Sequence, residues 1–263
     1  MSFDSTGRIL TTVGWDSAIK FWNAETGDPE PTANVQFPIQ GEEGYEADLR
    51  MYDVCYSPCG ERYATLHMQA NTRIWKTGDK SLLSEHSSGA GTSTGTLDFS
   101  NDGIWLAVGD RDGQVRIYDS FTGDVVMTKQ AHPDSVISIN FCADGQSLLT
   151  GGSEGVSYLW SLRPEQKEPQ PITDLYAKLI GSDSAAAFQA HWAMLNQPVD
   201  SIEHLTAQLL DNKDLEPGKP ELLRALALLR TIATDDSEKL LQSISQQHPD
   251  TFLGEQANRL AGK

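Results

Sequence analysis

Phe99 to Asp119 reads FSNDGIWLAVGDRDGQVRIYD, and this stretch decides the fold. Phe99 closes one short strand, and Asp102-Gly103 turns the chain. Ile104 to Val108 forms an apolar strand, and Asp112-Gly113 turns it again. Val115 and Ile117 then alternate with polar neighbours into a third strand. Asp-Gly pairs between short alternating apolar runs are a strong local signal for antiparallel hairpins.

Three more copies of the unit follow from aligning the leading aromatic: FDSTG from Phe3, YSPCG from Tyr56 and FCADG from Phe141. In every copy a second aromatic stands nineteen positions on, giving Phe3 to Trp22, Tyr56 to Trp75, Phe99 to Tyr118 and Phe141 to Trp160. Gly7, Gly60, Gly103 and Gly145 all precede that aromatic by fifteen. Thr26-Gly27-Asp28, Thr77-Gly78-Asp79 and Thr122-Gly123-Asp124 turn the chain into a fourth strand, expected at Asn34 to Ile39, Lys80 to Leu83 and Val125 to Lys129. The units are offset by 53, 43 and 42 residues. A four-stranded unit repeating at this interval is the signature of propeller blades.

On these residues the chain resembles the WD-repeat family of β-propellers over residues 1–163. The name-giving dipeptide is degenerate, as Trp22-Asn23, Trp75-Lys76, Tyr118-Asp119 and Trp160-Ser161. The resemblance implies a hydrogen-bonded brace of turn acid, His, hydroxyl and Trp in each blade. The acid falls at Asp16, Gln69, Asp112 and Glu154, and the hydroxyl at Thr12, Thr65, Val108 and Thr150. His132 alone fills the His position, ahead of the fourth copy. No copy matches the whole brace, so blade rigidity is expected to come from apolar packing between sheets.

Residues 164–172 are proline-rich and read as a linker. Beyond them, over 173–263, the periodicity becomes helical. Ala185, Phe188, Trp192 and Leu195 share a face after Ser182 as a cap, and Pro198 starts a helix carrying Ile202, Leu205 and Leu209. DNKDLEPGKP is a break. Leu222, Leu226, Leu229 and Ala233 form the next face. Thr234 followed by Asp235, Asp236 and Glu238 is a strong helix start before Leu240, Leu241 and Ile244. A last helix carries Phe252, Leu253 and Leu260. This tail resembles the HEAT-like helical segment of bacterial WD-repeat proteins. The expected fold is therefore mainly β: a partial, about four-bladed propeller arc followed by a small α-helical domain.

Lys and Arg total 20 against 37 Asp and Glu, a net charge of −17. That balance repels a phosphate backbone, and no basic run offsets it, so no nucleic-acid partner is expected. Nothing approaches the roughly 20 apolar residues of a membrane span. No basic and apolar leader opens the sequence, which reads as cytoplasmic. Cys55, Cys59 and Cys142 cannot all pair and lack the companions of a zinc set, so free thiols are expected.

Catalytic and cofactor motifs fail on inspection. Gly89 to Gly95 has the wrong spacing for a dinucleotide loop, and Gly78-Asp79-Lys80-Ser81 belongs to the repeated turn. His132, Asp134 and Ser135 lie too close in one loop for a triad. His191 reads as a helix-face histidine, and no catalytic residue, cofactor or metal is expected. Gly41 to Arg50 carries Glu42, Glu43, Glu46 and Asp48 and reads as a solvated loop, or as an acidic lip for a basic partner.

The expected function is a non-catalytic scaffold. The resemblance implies protein partners on the face of the second turns, where Trp15, Met68, Arg111 and Ser153 point, with Trp15 as anchor. The alternative is the regulatory portion of a larger enzyme such as a kinase. Four blades without a closing strand leave apolar sheet faces at both ends. They would be covered by further blades of a longer product, by homo-association, or by the helical tail folding over one end.

Overall fold

The computed structural model describes residues 1–30, 50–68, 71–87, 95–163, 169–210 and 222–261. The expected strand at Asn34 to Ile39, the acidic stretch before Arg50, Gln69, most of the Gly89 to Gly95 loop and the break at 211–219 lie outside them. The described residues build four antiparallel sheets and then six helices. The first sheet holds β1 (Ser2–Phe3), β2 (Ile9–Val13) and β3 (Ile19–Asn23). The second holds β4 (Met51–Tyr56), β5 (Arg62–His67), β6 (Asn71–Lys76) and β7 (Leu82–Ser87). The third holds β8 (Thr96–Phe99), β9 (Trp105–Gly109), β10 (Gln114–Asp119) and β11 (Val125–Gln130), and the fourth β12 (Val136–Phe141), β13 (Ser147–Gly152) and β14 (Ser157–Ser161).

Each sheet is a meander in chain order, as tight turns between successive strands require. The turn before β10 needs Gly113, at φ 77, because a Cβ there would lie 2.1 Å from the His132 carbonyl oxygen. The strand expected at Lys80 to Leu83 starts later, at Leu82. Asp79 accepts from the backbone N–H of Ser81 and extends the turn instead.

The sheets stack through their leading strands: β1 and β2 touch β4, β4 touches β8, and β8 touches β12. Three apolar layers result. Ile19 and Phe21 meet Val54, Tyr63 and Trp75, while Ala64, Leu66 and Ile74 meet Leu97, Phe99 and Leu106. The third layer joins Ala107, Val115 and Ile117 to Ile139, Phe141 and Leu148. This is the partial propeller arc read from the repeats. Asp98 of β8 bridges to the fourth sheet, accepting from the Phe141 backbone N–H at 2.7 Å.

Burial raises the pKa of Asp98 to about 6. An acid whose pKa rises on folding favours the fold below the unfolded value, and that stability is lost as pH climbs through the folded value. Between about pH 4 and 6 the arc therefore loses on the order of 3 kcal/mol at this position. Asp98→Asn keeps an acceptor for Phe141 and carries no charge. It should raise stability by about 1–2 kcal/mol at pH 7.5 and leave it near the wild-type value at pH 4, read by urea unfolding.

The helices are α1 (Ile172–Leu179), α2 (Ser184–Leu195), α3 (Pro198–Leu209), α4 (Leu222–Ile232), α5 (Asp235–Gln247) and α6 (Phe252–Ala261). α1 begins at Ile172, inside the expected linker. The cap of α2 is Asp183, not Ser182, and its carboxylate accepts from the Ala186 N–H. Thr234 caps α5 as expected, with Ser237 returning the bond to complete a capping box. α4 is buried on all sides from Leu222 to Leu229 instead of along one stripe. Ala233, expected on its face, lies beyond the helix at φ 52.

Among the described residues the helix contacts with the sheets centre on the third blade and on blade turns, and not on the outer faces of the first and fourth sheets. The helices pack against the edge carrying the first and third turns of the blades. Trp105, the first residue of β9, meets Phe188 of α2 edge-on with ring centroids 4.9 Å apart. Arg224 of α4 donates from Nε and Nη2 to Asp119 Oδ2 at 2.9 and 2.6 Å. Arg259 of α6 pairs with Glu61 of the second blade. His191, read as a helix-face histidine, lies on the buried face of α2 beside Trp105 and Trp192, and burial lowers its pKa to about 4. Among the described residues apolar side chains are exposed on both outer sheets. In the first sheet Phe3, Leu10 and Trp22 share a register row, with Phe3 55% exposed. In the fourth sheet Leu149 pairs with Leu159, which is 67% exposed.

Candidate partner-binding face

Antiparallel strands put the first and third turns of a blade at one edge and the second turns at the other. The helices occupy the former, so the latter is uncovered by them. Trp15, in the β2–β3 turn, is 67% exposed. One edge of its indole rests on the second blade: Tyr52 lies T-shaped at 6.4 Å, and the Arg50 guanidinium sits 5.2 Å over the ring. Trp15 is thus both braced and open.

Met68 follows β5 and its sulfur meets Arg50 Nη2 at 2.8 Å. Arg111 and Ser153 are exposed in the β9–β10 and β13–β14 turns. They are joined through the loop between the third and fourth blades. Ser135 Oγ donates to the Arg111 carbonyl at 3.1 Å, and the Ser153 N–H donates to the Ser135 carbonyl at 2.9 Å. Hydrogen bonds from Ser135 and Ser153 hold the Asp134 carboxyl below its ordinary pKa. The four residues therefore make two local groups, Trp15 with Met68 and Arg111 with Ser153, on neighbouring turns of one edge.

The hydroxyl positions gather the tryptophans. Trp22 Nε1 donates to Thr12 and Trp75 Nε1 to Thr65, both at 2.9 Å, and Trp160 Nε1 donates to Thr150 at 2.8 Å. In the fourth blade the chain continues. His132 Nε2 lies 2.8 Å from Thr150 Oγ1, and Nδ1 lies 2.5 Å from Glu154 Oε1. An Nδ1–H facing the carboxylate leaves Nε2 to accept the Thr150 proton, while Thr150 Oγ1 accepts from Trp160. The fourth blade therefore holds a whole brace where none was expected: the longer Glu154 reaches His132 from the turn-acid position. Asp16 is held by Lys20 instead. Among the described residues the Asp112 carboxylate makes no hydrogen bond, and Asp110, two residues earlier, pairs with Arg116.

Sequence reasoning missed several of these partners. His67 bonds Thr65 at 2.9 Å from within the same strand. Asp53 accepts from the Leu97 N–H and the Thr96 hydroxyl of the next blade. Neither stands at a repeated position, so nothing in the alignment marked it. All three cysteines are free thiols, and burial pushes the Cys55 thiol well above its ordinary pKa. Among the described residues no three His, Cys, Asp or Glu side chains gather as metal ligands, and no helix is long and apolar enough to cross a membrane.

A model of the anaphase-promoting complex subunit 4 WD40 domain matches residues 64–144, and a model of the WD domain, G-beta repeat, matches residues 1–23. These two stretches of the sheets are thus similar to WD-type repeats. A WD repeat-containing protein 91 homolog of Dictyostelium discoideum is 25% identical over 62% of this chain and 20% of its own length. The APC/C activator protein CDC20 of Saccharomyces cerevisiae is 26% identical over 59% of this chain and 24% of its own. A guanine nucleotide-binding protein subunit beta of Oryza sativa subsp. indica is 26% identical over 60% and 42%. The chain thus spans between a fifth and about two-fifths of the length of these relatives. Both matched family stretches lie within the four sheets.

Proposed function

We propose that this chain is a non-catalytic scaffold that grips protein partners on the edge carrying Trp15, Met68, Arg111 and Ser153. The observation that carries the reading is Trp15: a large indole, two-thirds exposed, held in place by Tyr52 and Arg50 on an edge that the helices leave bare. A rigid, solvent-facing indole binds with little loss of side-chain freedom. WD-repeat relatives named as an activator of APC/C and as a subunit of a guanine nucleotide-binding protein support a role in assemblies.

The same reading assigns no cofactor. It puts the protein in the cytoplasm, in keeping with its free thiols. It covers the exposed faces around Phe3 and Leu159 with sheets of the same kind, in a second copy or in further blades. The packing of α1 on α2 and of α5 on α6 supports the HEAT-like character of the tail.

Crosslinking and mass spectrometry of the tagged chain identify the partner, and titration then measures its affinity. Trp15→Ala should weaken binding about 30-fold or more while shifting stability by less than about 0.5 kcal/mol. Unchanged affinity for every crosslinked partner would remove Trp15, and with it this face, from the interaction.

A further inference from the structure

On the opposite edge, where the helices meet the second and third blades, lies a cleft of about 760 Å³. Its walls include Arg62, Lys76, Thr77, Leu83, Phe121 and Arg259. The sequence showed only scattered basic residues. Folding brings three of them together here, in a protein of net charge −17; Arg259 pairs with Glu61 and Lys76 Nζ lies 3.8 Å from the Asp79 carboxylate, which leaves Arg62.

Arg62 is the unusual member. It is only 7% exposed, its guanidinium stacks 3.6 Å over the Phe121 ring, and Nη1 donates to the Ser120 carbonyl and hydroxyl. Among the described residues no carboxylate lies within ion-pairing distance of it. The two nearby acids are already engaged, Glu61 with Arg259 and Asp119 with Arg224. Burial works against its charge and lowers its pKa. A buried cation without a counter-ion is costly, and an incoming anion relieves that cost.

A second observation points the same way. Thr77 Oγ1, on the same wall, is buried and has no hydrogen-bond partner. Lys76 stands where the first and third copies have Asn23 and Asp119, whose side chains accept from the turn N–H groups. The second blade gives up that turn contact and places a cation at the cleft instead.

We infer that this cleft binds an acidic peptide segment of a protein partner, with a carboxylate on Arg62 and an adjoining apolar side chain against Leu83 and Phe121. The volume exceeds what a lone phosphate or chloride fills, and the apolar walls suit a peptide better than a small anion. The surrounding negative surface excludes polyanions and makes the cleft a local exception. Because α6 supplies Arg259, the cleft exists only when the helices are docked on the blades. It is separate from the Trp15 edge and stands whether or not that edge binds anything.

The test titrates the full ¹⁵N-labelled chain with a pool of capped hexapeptides that share one fixed glutamate among neutral and apolar residues. The matched glutamine pool and inorganic phosphate are run beside it. The Arg62 Nε–Hε signal should move saturably with the glutamate pool below about 1 mM and not with the glutamine pool. Arg259→Gln, at a partly exposed site, should weaken binding about fivefold, and Arg62→Lys about tenfold with the fold confirmed by circular dichroism. Trp15→Ala should leave it unchanged. The inference is overturned if no saturable shift appears by about 5 mM, if the glutamine pool acts equally, or if phosphate binds as tightly as the glutamate pool.

Discussion

Arg224→Ala should cost about 3–5 kcal/mol of stability and loosen the helices from the blades. Arg224 is 1% exposed and Asp119 is fully buried. The guanidinium spends every nitrogen: Nε and Nη2 on Asp119, Nη2 also on Ser184 Oγ at 3.1 Å, and Nη1 on the carbonyls of Leu179 and Gly181 at 3.2 and 2.7 Å. The other carboxylate oxygen of Asp119 already caps the turn, accepting from Phe121 N–H at 2.8 Å and Thr122 N–H at 3.2 Å.

Truncating the arginine leaves one carboxylate oxygen and two carbonyls buried without donors. Most of the loss is that desolvation, not the pair's own attraction. Two companions separate the terms. Arg224→Lys offers one point donor set for a planar fork and should recover little. Arg224→Met with Asp119→Asn removes both charges, keeps a turn-capping oxygen, and should cost less than Arg224→Ala alone. Guanidinium unfolding, with limited proteolysis between blades and helices as a second readout, checks all three. Additive losses in the double variant would show that the two side chains do not act as a pair.

Trp105→Ala is the second large effect, about 3–5 kcal/mol by loss of buried ring contacts and the cavity left behind. Trp105 is 2% exposed, and its ring packs edge-on against Phe188 and His191 of α2. It is therefore both the start of a blade strand and the seat of a helix, within the one core that joins the third and fourth blades to the helices. Its Nε1 is buried and has no hydrogen-bond partner. Trp105→Phe removes that unmet donor while keeping much of the ring, so it should cost less than about 1.5 kcal/mol. Chemical unfolding followed by circular dichroism reads both. A Phe variant as unstable as the Ala variant would mean that the indole's full outline, and not apolar ring burial, holds the junction.

Particular residues show how far the sequence was legible. The spacing from Phe99 to Tyr118 gave the strands of the third blade because each turn is local: Gly103 at φ 75 and Gly113 at φ 77 are read from their neighbours. Thr234 announced its helix for the same reason, its hydroxyl capping an N–H three residues away. The face of α4 read from Leu222, Leu226 and Leu229 is buried, but so are the sides between them, because a helix sandwiched between blades and other helices buries every side and periodicity marks a single face only when the other meets water. In the candidate sites Trp15 was legible from its turn. The Arg62 cleft was not, since Arg62, Lys76 and Arg259 are brought together by contacts that no spacing encodes.

The chain order by itself determined the repeat, the meander within each sheet, the edge on which the second turns gather, and the change from strand to helix after the fourth copy. All of these depend on turns and alternation that act over a few residues. Only the tertiary structure decided which edge the helices cover, that His132 and Glu154 are close enough to complete a brace, and where the unpaired guanidinium lies. Those outcomes are set by burial: a charge or an indole is costly or stabilising according to what is packed against it, and its neighbours here come from as far as 198 positions away.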